Sequence, residues 1–235
     1  MINDSTKLID LIAIIPAAGK GLRMNSQCPK QYLTICGKTI LEHSLHVLLQ
    51  HREIKHIVIA LHPSDIYFKN LSISRNLRIT TVKGGPQRTD SVLAALQTSP
   101  PAKWVLIHDA ARPCLCSTDL HRLLALTVSS QIGGILAVPV RDTLKRAMKG
   151  KNNIHYTVKR ESLWHALTPQ LFPLTLLKNC LEKLLRDRKY ITDEASALEY
   201  CGYYPELIRG RSDNLKITHP EDLALARLYL TARKN

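Results

Sequence analysis

The sequence predicts an α/β fold in which a mostly parallel sheet is covered by helices, and three observations carry that expectation. Short apolar, β-branched runs bounded by turn residues recur at Leu11–Pro16, His56–Leu61, Leu77–Val82, Trp104–His108 and Ile135–Val140. Between them Ile40–Gln50, Arg88–Gln97 and Thr118–Ser129 carry apolar residues at helical spacing. The strand runs are apolar almost throughout, as strands buried on both faces are, and strand–helix alternation implies right-handed crossovers.

Each element has its own local signal. Ser117 or Thr118 is suited to cap the third helix. The alternation then fails at Arg141–Arg160, a strongly basic stretch with a turn signal at Gly150–Asn153 and short alternating runs on either side. It predicts a β-hairpin projecting from the rest. A two-stranded hairpin is marginal alone, so a second subunit is the simplest thing for it to pack on, through an arm spanning about residues 141–162. Further on, Phe172–Arg188 and Asp193–Tyr200 are expected to be helices, Tyr203–Arg209 a strand, and Pro220–Thr231 a closing helix with proline at its start. With 235 residues, 45% of them hydrophobic, one large domain plus this projection accounts for the chain.

Composition removes several classes of function. The longest apolar stretch, Leu8 to Ala18, is broken by Asp10 and Pro16 and falls short of the roughly 20 residues needed to span a membrane. The amino-terminal MINDSTKLID has neither the basic start nor the small-residue cleavage site of a secretory leader, so a cytoplasmic location is expected. Six cysteines (Cys28, Cys36, Cys114, Cys116, Cys180 and Cys201) form no C-x-x-C pair, which argues against zinc and for reduced thiols. A net charge of +14 predicts attraction to polyanions. The basic residues are dispersed and aromatics make up only 5%, so phosphorylated metabolites are favoured over nucleic acid.

The most informative segment follows the first strand: Pro16-Ala17-Ala18-Gly19-Lys20-Gly21-Leu22-Arg23-Met24, then Pro29-Lys30-Gln31. Small residues let backbone N–H groups approach a phosphate, and the loop leaves the carboxyl end of a strand, where α/β folds bind ligands. Met24 stands where a dinucleotide fingerprint wants glycine, and the Gly-Lys-Ser/Thr ending of a P-loop is missing. The loop is expected to cradle a triphosphate, with Arg23 and Lys30 set against its developing charge.

The string AAGKGLRM…PKQY resembles the signature of nucleotidyltransferases with a Rossmann-like, glycosyltransferase-A-type fold, specifically the 2-C-methyl-D-erythritol 4-phosphate cytidylyltransferases. Further matching motifs follow in order: Gly84-Gly85…Arg88…Asp90-Ser91-Val92, His108-Asp109-Ala110-Ala111-Arg112-Pro113, Pro139-Val140-Arg141-Asp142-Thr143-Leu144-Lys145, Thr168-Pro169-Gln170, Thr192-Asp193-Glu194-Ala195 and Asp213-Asn214-Leu215-Lys216. Together they cover nearly the whole chain.

The resemblance implies an enzyme that joins CTP to a polyol phosphate and releases pyrophosphate. It assigns Ala17, Ala18, Gly19, Gly21, Gly85, Arg88, Ser91, Asp109 and Ala110 to the nucleotide, and Arg23, Lys30 and Lys216 to catalysis. Mg²⁺ is implied as cofactor, held mainly by the CTP phosphates with Asp109 near it. Arg112, Thr143, Arg160, Thr168, Thr192 and Asp213 are implied for the acceptor, Thr143 and Arg160 being delivered by the neighbouring subunit of a homodimer. Pro86 departs from the pattern, since it has no N–H to offer the base.

Alternatives stay open at this stage. Asp109 could instead cap the following turn, Arg112 could pair with Asp109, Thr192 could start a helix, Asp213 could serve a turn, and Lys216 could face solvent. A relative that uses D-ribitol 5-phosphate would look the same on the nucleotide side. A non-catalytic RNA- or nucleotide-binding module, which would bind polyanions without turnover, is the rival of a different class.

Overall fold

The computed structural model describes residues 11–19, 21, 24, 26, 28–189 and 191–233. Its strands are β1 (Leu11–Ala17), β2 (Thr34–Ile35), β3 (Lys38–Thr39), β4 (Ile54–Leu61), β5 (Ile79–Lys83), β6 (Trp104–Ile107), β7 (Gly134–Pro139), β8 (Leu144–Ala147), β9 (Ile154–Val158), β10 (Trp164–Pro173) and β11 (Glu206–Arg209). The helices are α1 (Ile40–Gln50), α2 (Arg88–Thr98), α3 (Ser117–Leu124), α4 (Leu126–Ser129), α5 (Leu174–Arg186), α6 (Glu194–Tyr200) and α7 (Glu221–Ala232). Among the described residues, no helix is long and apolar enough to cross a membrane.

Seven strands form one sheet in the order β11-β7-β10-β6-β1-β4-β5. All its pairings are parallel except those of β10, which runs antiparallel to both β6 and β7. β1 is an interior strand between β4 and β6, with Ile14 opposite Val58 on one side and Ile107 on the other. Its alternate residues serve two cores. Leu11, Ala13 and Ile15 face the cluster that holds α1 and α3, while Ile12 and Ile14 face the cluster that holds α2, α5 and α6. That two-sided burial is why the run is apolar without alternation. Each fully buried isoleucine contributes roughly 1.5–3 kcal/mol relative to exposure.

Helix starts explain where the boundaries fall. At α1 the Thr39 hydroxyl accepts from the Glu42 N–H at 3.2 Å and the Glu42 carboxylate accepts from the Thr39 N–H at 2.8 Å, a reciprocal cap that satisfies two orphan donors. The third expected helix is in fact two, α3 and α4, separated at Ala125, and it begins with Cys116 rather than Ser117 or Thr118 in the capping position. Ser117 has another partner, because its hydroxyl meets His51 Nε2 at 3.0 Å.

Three other boundaries move. Leu77 is 97% exposed, so β5 begins only at Ile79, after an Asn76 turn that accepts from the Arg78 N–H at 2.9 Å. Phe172 and Pro173 do not open a helix. They end β10, paired with Val105 and Trp104, and Phe172 is completely buried in the core. Tyr203 and Tyr204 precede β11, which pairs with β7 only from Glu206. The expected hairpin is present as β8 and β9, a separate two-stranded sheet in which Leu144 faces Val158 and Lys145 Nζ donates to Thr157 Oγ1 at 2.7 Å.

Candidate active site

Four adjacent parallel strands, β6, β1, β4 and β5, end on the same edge of the sheet, and the segments that leave them wall a cavity of about 920 Å³. β1 contributes Ala17, Ala18 and Gly19, with Gly21 and Lys30 following. β4 leads to His62 and Pro63, β5 to the Gly84–Gln87 turn and then Arg88 and Ser91 on α2, and β6 to Asp109 and Ala110. Lys216 closes the wall from the segment ahead of α7. This is where parallel α/β sheets bind ligands, since helix starts and free backbone N–H groups gather at the carboxyl ends of strands.

Two glycines are demanded by close approach. A Cβ on Gly84 would lie 2.5 Å from Ala18 Cβ and 2.8 Å from Ser91 Oγ, so the turn after β5 can touch the loop after β1 only without a side chain. Gly21 has φ +65°, and a Cβ there would meet Lys30 Cγ at 2.9 Å. The Lys30 stem therefore runs against the glycine, and its ammonium donates to the Ile217 carbonyl at 2.7 Å. Gln31, buried beside it, donates to the Ala17 carbonyl at 2.8 Å and so holds the end of β1. On the opposite wall the Gly85 N–H donates to Ser91 Oγ at 3.2 Å.

Asp109 is the electrostatic centre. Its side chain is buried, with Arg88 Nε 3.2 Å from Oδ1, and Arg112 Nε 3.4 Å and Lys216 Nζ 2.9 Å from Oδ2. Burial alone would raise its pKa, but Arg88, Lys216 and Arg112 outweigh that and hold the carboxyl far below the usual carboxylate range. The Asp109 backbone N–H donates to Thr168 Oγ1 at 3.0 Å, and Thr168 lies in the interruption of the β10–β7 ladder between Ala166 and Gln170. The Thr168 hydroxyl meets His108 Nδ1 at 3.0 Å, and His108 Nε2 meets the Arg112 carbonyl at 3.3 Å. Both contacts suit the neutral ring with its proton on Nε2. Complete burial pushes the His108 pKa down to about 4, which keeps the ring neutral.

A second cavity, of about 460 Å³, adjoins the first and shares Lys216 with it. Arg112 borders it too, with NH1 donating to the Asn214 carbonyl at 2.6 Å. Arg141, Asp142 and His165 add to its polar lining. Among the described residues, no group of three histidine, cysteine, aspartate or glutamate side chains could hold a metal ion.

The residues expected for the nucleotide, Ala17, Ala18, Gly19, Gly21, Gly85, Arg88, Ser91, Asp109 and Ala110, all line the larger cavity, as do Lys30 and Lys216. Arg23 lies outside the described residues. Arg112 pairs with Asp109 and also borders the smaller cavity. Thr168 sits buried behind Asp109 with its hydroxyl engaged. Thr143 and Arg160 are exposed at the base of the hairpin, where Arg160 donates to the Arg141 carbonyl. Thr192 is exposed one residue ahead of Asp193, the actual cap of α6. Asp213 lines neither cavity and is held by Arg211 at 2.7 Å and Arg233 at 2.9 Å. Glu194 and Gln31 received no role from the sequence. A glutamate at a helix start carries the same signal as any first-turn acid, and nothing local marks it as buried.

The family model for IspD, 2-C-methyl-D-erythritol 4-phosphate cytidylyltransferase, matches residues 11–232. The chain belongs to this family of CTP-dependent cytidylyltransferases. A 2-C-methyl-D-erythritol 4-phosphate cytidylyltransferase of Yersinia pseudotuberculosis is 58% identical over 100% of this chain and 98% of the relative, and one of Yersinia pestis is 58% identical over the same shares. A crystal structure of 4-diphosphocytidyl-2C-methyl-D-erythritol synthase superposes with a TM-score of 0.80 at 41% identity, covering 94% of this chain and 98% of that one. The 2-C-methyl-D-erythritol 4-phosphate cytidylyltransferase of Thermus thermophilus gives a TM-score of 0.80 at 30% identity, over 96% and 100% of the two chains.

Proposed function

We propose that the chain transfers CMP from CTP to 2-C-methyl-D-erythritol 4-phosphate, giving 4-diphosphocytidyl-2-C-methyl-D-erythritol and pyrophosphate, with CTP in the larger cavity and the acceptor in the smaller. The observation that carries this arrangement is Lys216, which stands on the walls of both cavities while its ammonium pairs with buried Asp109. A cation on that boundary faces the place where the acceptor phosphate oxygen would meet the α-phosphorus. The reaction is direct in-line displacement: the acceptor oxygen bonds to phosphorus as the bond to pyrophosphate breaks. A phosphate monoester is largely ionised at neutral pH, so no general base is required, and the chain contributes position and charge.

Each group has a part in that scheme. The small residues after β1 let the backbone approach the triphosphate. Gly85 and Ser91 border the base, with Pro86 offering no donor. Lys30 supplies positive charge from the segment after β1 and Arg88 from α2, and the family resemblance assigns Arg23 to the same task. Arg112 faces the acceptor phosphate from the smaller cavity. Thr168 serves indirectly, by fixing the Asp109 backbone. Thr143 and Arg160 line neither cavity of their own chain, which supports their delivery to a partner's site in a homodimer built on the 141–162 arm. Met148, Ile154 and Tyr156 on that arm are exposed at 42%, 61% and 50%, more apolar surface than an isolated hairpin would carry into water.

Mg²⁺ fits this site as a companion of the triphosphate. Asp109 is the one carboxylate among the described residues lining the larger cavity, and both its oxygens already face cations, so the ion's remaining ligands would come from phosphates and water. Bound there it would neutralise charge on the phosphate oxygens. The test is pyrophosphate release from CTP and Mg²⁺ with 2-C-methyl-D-erythritol 4-phosphate, with D-ribitol 5-phosphate run in parallel. Turnover only with the ribitol compound, or none with either, would overturn the assignment.

A further inference from the structure

Glu194 opens α6, and its side chain is almost fully buried at 1% exposure, yet it borders neither cavity. Its Oε1 lies 2.5 Å from Arg88 NH1, while Arg88 Nε lies 3.2 Å from Asp109 Oδ1. One guanidinium is thus shared between an acid on the cavity wall and an acid behind it. Among the described residues Glu194 Oε2 has no hydrogen-bond partner, so Arg88 is what compensates this buried carboxylate. Burying an acid with a single partner is costly, and removing that partner costs more still, because the buried charge is then left uncompensated.

We infer that Glu194 is a positioning residue for CTP binding: it tethers Arg88 through NH1, so that Nε can exchange Asp109 for a phosphate oxygen without the side chain swinging out into solvent. The two contacts use different nitrogens, which makes the exchange geometrically independent of the tether. A lone Asp109 contact could not do this, because the arriving triphosphate competes for the same cation. The tether is itself fixed from behind. Gln170 on β10 accepts from the Ala195 N–H at 3.0 Å and donates to Asp193 Oδ2 at 2.8 Å, locking the first turn of α6 to the sheet. Around Glu194 the charged groups are Arg88, Asp109 and Asp193, and among the described residues Arg88 is the cation acting on it.

This inference rests on Arg88 serving the nucleotide, and a double-mutant cycle separates the two ideas. KM for CTP and kcat would be measured for the full chain carrying Arg88→Ala, Glu194→Ala, and both, with thermal melting to confirm folding. Glu194→Ala is expected to raise KM for CTP roughly tenfold, the scale of one charge-assisted hydrogen bond, with a smaller effect on kcat. In the Arg88→Ala background the same change should add almost nothing. Glu194→Gln, which keeps an acceptor oxygen for NH1, should recover much of the loss; if Glu194→Ala does not fold, Glu194→Leu, which fills the same space without an acceptor, carries the comparison in both backgrounds. Equal KM increases in both backgrounds, or an unchanged KM in the single variant, would overturn the tether. An unchanged KM in Arg88→Ala alone would instead remove Arg88 from the nucleotide site.

Discussion

Lys216 Nζ lies 2.9 Å from Asp109 Oδ2, and this pair joins the segment ahead of the last helix to the end of a central strand. The lysine side chain is 40% exposed and the aspartate 8%, so the pair joins a cation on the cavity wall to a buried carboxylate. In the proposed reaction, a cation held in this way is placed to stabilise charge that develops on phosphorus.

Lys216→Met keeps the stem and removes the charge. Asp109 retains Arg88 and Arg112, so the melting temperature should stay within a few degrees of the parent while kcat/KM falls roughly 10²–10³-fold. Lys30→Ala should lower kcat by about two or more orders of magnitude on the same scale. Near-normal pyrophosphate release from either variant would take that lysine out of the chemistry.

His108 predicts a pH dependence of stability. The ring is fully buried with a pKa of about 4, against an ordinary 6.5. Below pH 6.5 the unfolded chain takes up a proton that the folded chain refuses until about pH 4. Stability is therefore complete above pH 6.5 and falls through that window, by about 3 kcal/mol. The Asp109 contribution behaves differently. Its depressed pKa leaves it intact down to the unfolded carboxylate value, and it is lost only at pH below about 4. His108→Asn keeps an acceptor for the Thr168 hydroxyl without titrating, so its melting temperature should fall less steeply between pH 6.5 and 4. A decline parallel to the parent's would show that another group sets the slope.

The arm predicts a concentration of dimer contacts at two side chains. Ile154→Lys combined with Tyr156→Lys should shift the light-scattering mass to that of one chain. CTP affinity, which depends on the body of the protein, should persist while turnover falls more than tenfold. A dimer mass with full turnover would place the interface elsewhere; a monomer with full turnover would show that Thr143 and Arg160 act within their own chain or not at all.

Much of the fold is legible in the sequence. β1, β4, β6 and β7 were visible as apolar runs because both faces of each are covered, and the hairpin was visible because its sequence alternates around a turn. β10 was not. Its Pro169 and Pro173 argue against a strand, and the run Phe172–Arg188 has helical spacing, yet Phe172 is drawn into the core beside Val105. Packing overrode propensity there, as it did at Ser117, whose capping hydroxyl was claimed by His51. The glycine loop, Arg88, Asp109 and Lys216 were legible because their motifs stand next to strand ends or helix starts, and the family resemblance ordered them.

The alternating architecture, the projecting hairpin and the basic residues of the glycine loop could be read from the chain alone, because periodicity and local motif are properties of neighbouring residues. Which of those charges become partners depends on how the strands and helices come together. Asp109 meets Arg88, Arg112 and Lys216, Arg88 meets Glu194, and Asp213 turns to Arg211 and Arg233. Most of these pairs join residues far apart along the chain. They exist because the sheet order brings the ends of separate strands to one edge, and because a carboxylate buried there must find a cation within reach.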